Sequence, residues 1–101
     1  MRMIVCPHCQ EELTASQALE RGTFSWPQMS TFWLICSSCS IGSHLRATDD
    51  KLVQIRVISA PGPEWEEVRT VEAPGLSVRP DPGFLHVWFQ GAHHEYPVRS
   101  A

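Results

Sequence analysis

Cys6-Pro7-His8-Cys9 and Cys36-Ser37-Ser38-Cys39 contain all four cysteines of the chain, as two matched Cys-x-x-Cys pairs. A tetrahedral metal site takes four ligands, and four thiolates are one common set. Two cysteines three positions apart can turn both sulfurs toward one point while the loop's backbone N–H groups hydrogen-bond them. A second turn of the same kind closes the tetrahedron. Cys6, Cys9, Cys36 and Cys39 are therefore the candidate metal ligands, and one Zn2+ per chain is the expected cofactor.

The loops suit the task. Proline fixes φ, so Pro7 stiffens the first knuckle. Ser37 and Ser38 are small and turn easily. Gly42, three places after Cys39, lets the backbone turn away from the site. The pairs are separated by 26 residues, Gln10 to Ile35. That exceeds the roughly 15–20 of the commonest double-knuckle spacing, which implies an insertion. Thr14-Ala15-Ser16-Gln17 reads as a capping box opening a short helix. Leu19-Glu20-Arg21 continues it, and Gly22 is suited to its end. An aromatic stretch, Phe24-Ser25-Trp26-Pro27, and a strand-like run, Thr31 to Ile35, then lead into Cys36.

Other uses of four cysteines are free thiols, two disulfides or redox chemistry. The opening Met1-Arg2-Met3-Ile4-Val5 is too short and unpunctuated for a secretory signal. A reducing cytoplasm is then the expected setting, where disulfides are uncommon. A redox dithiol needs only one pair, usually beside a βαβ pattern, which is not visible.

At 101 residues the chain is expected to be a ribbon unit over residues 1–47 and an antiparallel β extension over 48–101, sharing one core. Met1–Val5 would be a strand entering the first knuckle and Ile41–Arg46 the strand leaving the second. Thr48-Asp49-Asp50 marks the junction. Beyond it, Leu52–Ile58 alternates, with Val53, Ile55 and Val57 on one face and Gln54 and Arg56 opposite, as in a half-buried strand. Ala60-Pro61-Gly62-Pro63 breaks it. Trp65–Val71 reads as the next strand, with a short helix over Glu64–Val68 as the alternative. Leu76–Arg79, Phe84–Phe89 and Glu95–Val98 are further strands, punctuated by Pro80-Asp81-Pro82-Gly83 and Gln90-Gly91-Ala92. The fold class is α+β, mainly β: a zinc ribbon with one inserted helix, followed by a small antiparallel sheet.

The formal charge is −3 with neutral histidines, and four thiolates with one Zn2+ contribute a further −2. Lys51 is the only lysine, and the arginines are scattered singly. Phosphate contacts carry most non-specific nucleic-acid affinity, so this charge pattern disfavours nucleic acid as a partner. No apolar run approaches the length of a membrane span.

No nucleophile elbow or phosphate-binding glycine loop occurs, and a closed four-cysteine site leaves no open position for water. An enzyme is not expected. His93-His94-Glu95 invites a second-metal reading, but neighbours on a strand point to opposite faces, and a surface turn is the simpler expectation. His8 reads as an exposed knuckle side chain and His44 as a strand residue. His86 alternates with Phe84 and Trp88 on one face. Four tryptophans are many for this length, and aromatic residues are enriched at interfaces. Trp26, Trp33 and Trp88 are the candidate partner contacts, with a two-fold dimer the simplest form.

Residues 6–46 resemble zinc-ribbon proteins with C-P-x-C and C-x-x-C knuckles. More narrowly, Cys6-Pro7-His8-Cys9, Leu13, Gln17-Ala18-Leu19, Phe24, Trp33, Cys36 and Cys39 are similar to small bacterial proteins of unassigned function with two such pairs. Glycine often follows the second cysteine of each pair there; Gln10 and Ser40 stand in those places here. The resemblance implies a zinc-ligand role for the four cysteines. The expected function is a structural-zinc protein-interaction module, a small cytoplasmic adaptor or accessory subunit. The alternatives are a nucleic-acid-associated ribbon of transcription or translation, and a thiol redox protein.

Overall fold

The computed structural model describes residues 3–6, 8–26, 30–57 and 65–99. The expectations for Met1, Arg2, Pro7, Pro27, Ile58, the Ala60–Pro63 break and Glu64 lie outside them, as do the side chains of Val57 and Trp65.

The fold is mainly β, with antiparallel sheets and one short helix. β1 (Ile4–Val5) and β2 (Glu12–Leu13) form a small hairpin, followed by α1 (Ala15–Arg21). β3 (Gly22–Trp26), β4 (Thr31–Ile35), β5 (Gly42–Thr48), β6 (Lys51–Val57) and β7 (Trp65–Glu72) make a five-stranded meander in sequence order. β8 (Ser77–Pro80), β9 (Phe84–Phe89) and β10 (Ala92–Pro97) make a three-stranded sheet. One apolar core lies between the two sheets and α1. It takes Leu19 from the helix, Phe32, Leu34, Leu45, Leu52 and Val71 from the larger sheet, and Leu85, Val87, Phe89 and Tyr96 from the smaller. Ile4 and Leu13 join it from the hairpin.

Local chemistry explains the elements. Thr14 accepts from the Gln17 N–H, and the Gln17 side chain accepts from the Thr14 N–H, so the capping box is complete. Asp49 and Asp50 form a tight hairpin turn between β5 and β6, and the five-stranded sheet runs across it. Asp50 takes φ 66°, which aspartate tolerates. Gln90 and Gly91 both have positive φ, the backbone of a two-residue hairpin turn whose twist matches its strands.

Three expectations are corrected. Gly22 ends α1 in an extended conformation, φ −61° and ψ 143°, not a left-handed one. Its small size matters instead: a Cβ there would stand 2.5 Å from Tyr96 Cε1 and 2.7 Å from Phe32 Cδ2. These two rings stack with centroids 4.6 Å apart. Gly42 serves similarly, since a Cβ there would collide with the Trp33 indole. Strand β6 is buried on both faces: Val53 and Ile55 are buried, but Leu52 and Gln54 share the face toward the core.

Gln54 is 4% exposed and uses its amide as a substitute peptide unit. Its Nε2 donates to the Val5 carbonyl at 2.7 Å, and its Oε1 accepts from the Val5 N–H at 3.3 Å. The β1–β2 hairpin is thereby fixed onto the larger sheet. At the other end, the Tyr96 hydroxyl donates to the Leu19 carbonyl. Ser25 Oγ donates to the Tyr96 carbonyl, and Arg99 N–H to the Ser25 carbonyl. The last strand thus closes against both α1 and the β3 edge.

Gln54→Leu removes both bonds to Val5. Leaving buried peptide groups unpaired costs about 1–3 kcal/mol, and urea unfolding should show a loss of that size. Unchanged stability would show that the amide does not hold the hairpin. Burial also raises the Tyr96 hydroxyl above the ordinary tyrosine range. Tyrosine in the unfolded chain ionises near pH ~10, so above that pH the unfolded state holds fewer protons than the folded one. Stability is full below about pH 10 and falls as pH rises further. Melting temperatures followed through that range should decline in the native chain and decline less in Tyr96→Phe.

Candidate metal centre

Both knuckles are six-residue loops of β-hairpins. The first, residues 6–11, joins the paired Val5 and Glu12. The second, residues 36–41, joins the paired Ile35 and Gly42. Their backbone bonds repeat. The Cys6 N–H donates to the Glu11 carbonyl at 2.9 Å and the Gln10 N–H to the Cys6 carbonyl at 3.1 Å. In the second loop, Cys36 N–H donates to the Ile41 carbonyl at 3.1 Å and Ser40 N–H to the Cys36 carbonyl at 2.9 Å. Gln10 (φ 67°) and Ser40 (φ 62°) occupy the left-handed region at matching positions. These are the places where glycine is frequent in the resembling proteins. The turn that glycine eases is made here without it.

The loops aim their sulfurs at one another. Cys6 and Cys39 Sγ atoms are 3.6 Å apart, and Cys9 and Cys36 Sγ atoms 3.4 Å. All four sulfurs lie within 4.8 Å of one another. Four sulfurs at the ~2.3 Å zinc–thiolate distance stand about 3.8 Å apart at tetrahedral corners, so the cluster has the dimensions of a metal site. Each loop also turns N–H groups onto sulfur: His8 and Cys9 onto Cys6, Ser38 and Cys39 onto Cys36, and Ile41 onto Cys39. The four cysteines could hold a metal ion.

Electrostatics sharpens the point. Burial opposes ionisation of Cys6, yet the N–H groups of Cys9 and His8 and the sulfurs of Cys39 and Cys9 bring its thiol down to about 6. At Cys36 the Cys39 N–H favours the thiolate, but burial, Glu11 and the Cys9 sulfur push it up to about 12. Cys39 is also raised, by burial and the Cys6 sulfur against the N–H of Ile41. The Cys6 thiolate forms easily, whereas Cys36 and Cys39 resist ionisation. A cation at the centre would favour the thiolate form of the cluster.

Glu11 was not evident from the sequence. Its Oε2 accepts from Cys36 Sγ at 3.2 Å and from Ser37 Oγ at 3.4 Å, while Arg21 donates to Ser37 Oγ at 3.1 Å. Hydrogen bonds from Cys36 and Ser38, with Arg21 and Ser37, hold its carboxyl below the usual range despite desolvation. Only the knuckle loop geometry brings Glu11 to the second pair. Beneath the sulfurs, Ile4, Leu13, Leu34 and Gln54 border a cavity of about 10 Å³, room for a single water at most.

The other candidates lie elsewhere. His8 is exposed on the first loop. Trp26, Trp33 and His44 form an aromatic group with Phe24 over β3–β5. The Trp26 indole N–H donates to His44 Nδ1 at 3.1 Å, which suits an imidazole kept neutral by burial. Trp26 and Trp33 are half-buried, whereas Trp88 is 38% exposed on β9. His93 and His94 lie within strand β10 and not in a turn. His93 faces Trp88, with ring centroids 4.6 Å apart.

Cys36→Ser leaves three thiolates, and metal content should fall with loss of ordered structure around both knuckles. Full metal content with unchanged melting would remove Cys36 from the site.

A scan of protein-family models, a search of curated proteins and a search of solved structures each found no match for this chain.

Proposed function

We propose that Cys6, Cys9, Cys36 and Cys39 hold one Zn2+ as a closed structural centre in a zinc ribbon, and that the chain is a cytoplasmic protein-interaction module. The observation that carries this reading is the convergence of two matching knuckles on one four-sulfur cluster. Thiolate is a soft ligand that suits zinc, and four protein ligands leave no coordination position for a substrate. The ion would contribute folding free energy, not chemistry.

What the domain offers a partner is apolar surface. Ile35 and Ile41 are exposed on either side of the second knuckle, and Phe84 and Trp88 on β9. Exposed tryptophan is a frequent centre of binding energy. The arginines give little support to nucleic-acid binding. Arg21 is engaged with Ser37, Arg56 pairs with Glu66, and Arg99 lies 4.9 Å from the Phe24 ring centroid. No helix among the described residues is long and apolar enough to cross a membrane.

Metal analysis of untagged protein should give one zinc per chain, with thiols that react only after chelation. Iron, or no metal with freely reacting thiols, would defeat the zinc centre. For the interaction role, Trp88→Ser should keep zinc content and melting while weakening self-association in sedimentation, or cross-linking to a partner from a photo-reactive residue at position 84. A monomer at every concentration that cross-links to nothing would defeat that role.

A further inference from the structure

A second cluster of ligating side chains sits on the outer face of the three-stranded sheet. In the β9–β10 register, His86 stands opposite Glu95, and Trp88 opposite His93. All four side chains therefore share one face, with the two histidines on a diagonal. His86 Nδ1 and His93 Nε2 are 3.0 Å apart. Behind each imidazole is a carboxylate. Asp81 Oδ2 lies 2.6 Å from His86 Nε2, and Glu95 Oε1 lies 3.7 Å from His93 Nδ1. The order across the face is Asp81, His86, His93, Glu95.

We propose that His86 and His93 form a second metal site, for a divalent late transition metal such as Ni2+, Cu2+ or Zn2+, with Glu95 positioned as third ligand or as the carboxylate behind His93. Two nitrogens bound to one ion at ~2.0–2.1 Å stand about 2.9–3.4 Å apart, depending on coordination geometry. The observed separation lies in that range. Imidazole with carboxylate suits these cations, and ligating histidines almost always donate their other ring N–H to a carboxylate or carbonyl.

Asp81 provides that second contact for His86. Its Oδ1 accepts from the N–H groups of Gly83 and Phe84 at 2.8 and 2.7 Å, so the carboxylate is fixed in place. The N–H groups of Phe84 and Gly83, with His86, keep it ionised. It therefore accepts a hydrogen bond from His86 Nε2–H, which leaves the Nδ1 lone pair facing His93. Without metal, the His93 Nε2–H donates a hydrogen bond to that lone pair. With metal, the proton resides on Nδ1 of the same ring, facing Glu95, and Nε2 is free to ligate. Trp88 stacks on His93 with an interplanar angle of 5° and flanks His86 at 5.8 Å, holding both rings near their ligating orientations. Arg79, opposite His86 on β8, is the like charge that works against the ion.

The site is independent of the cysteine cluster, and the test keeps them apart. Untagged protein with its knuckle metal in place is titrated with Ni2+, followed by calorimetry and tryptophan fluorescence. One Ni2+ per chain is expected, with quenching that is reduced in Trp88→Phe. His86→Ala and His93→Ala should each weaken binding at least ~10-fold, and Asp81→Asn by about 10–100-fold, the usual cost of losing such an outer carboxylate. His94→Ala, on the opposite face, should bind as the native chain does. Circular dichroism and melting confirm that each variant is folded; for one that is not, His→Gln at the same position replaces it. No Ni2+ binding by the native chain overturns the site. So does binding that survives both His86 and His93 substitutions, which would place the ion at the cysteines, and so does binding lost equally in His94→Ala.

Discussion

Four sulfurs must be brought within a few ångströms of one another, and they resist ionising together. The first knuckle's hairpin consists of two residue pairs, Ile4–Leu13 and Val5–Glu12, and a two-stranded hairpin of that size is not stable alone. The second knuckle extends from two long strands inside the five-stranded sheet. One half of the site is therefore rigid and the other is held by what it touches: Ile4 and Leu13 in the core, the Gln54 amide on Val5, and the facing sulfurs. Under the zinc reading, the ion contributes most to the first hairpin, because that element has least support of its own.

The aromatic residues divide by what they touch. Phe32 and Tyr96 stack in the core across the glycine that ends α1. Through its hydroxyl, Tyr96 is a second donor to the Leu19 carbonyl, which also accepts from the Gly22 N–H at the helix end. The last strand is thus tied to the end of an element 77 residues earlier. Phe24, Trp26, Trp33 and His44 satisfy one another on the larger sheet. Trp88 is different: its stacking partners are the two histidines, and its remaining surface faces outward.

Much of this was legible in the sequence because it depends on near neighbours. Cys-x-x-Cys spacing, the Thr14–Gln17 box, and the turns at Asp49-Asp50, Asp81 and Gln90-Gly91 involve residues at most a few positions apart. The failures all involve distant partners. Alternation along β6 directs Gln54 outward with Arg56, since nothing local reveals that an amide will replace a strand for Val5. Gly22 looks like a conformational stop because the Tyr96 ring that requires it lies far along the chain. His93-His94-Glu95 reads locally as a surface turn, whereas the hairpin register sets His93 opposite Trp88 and on a diagonal with His86. Gln10 and Ser40 show the reverse case: residues that seem unsuited to a left-handed turn adopt it because each knuckle fixes both ends of its loop with two hydrogen bonds.

The two clusters differ in the way that ligand supply differs from ligand demand. The cysteines surround a point with four donors, so an ion there would have no open coordination position and its binding energy would belong to the fold. His86 and His93 approach a point from one face of a sheet, with side-chain exposures of 19% and 37%. An ion there would complete its coordination with water or with a ligand from outside. Because Trp88 abuts both rings, metal and partner would meet on the same surface. A partner carboxylate or imidazole could then fill the open positions, so that metal binding and association strengthen each other reciprocally, as two ligands favouring one state must.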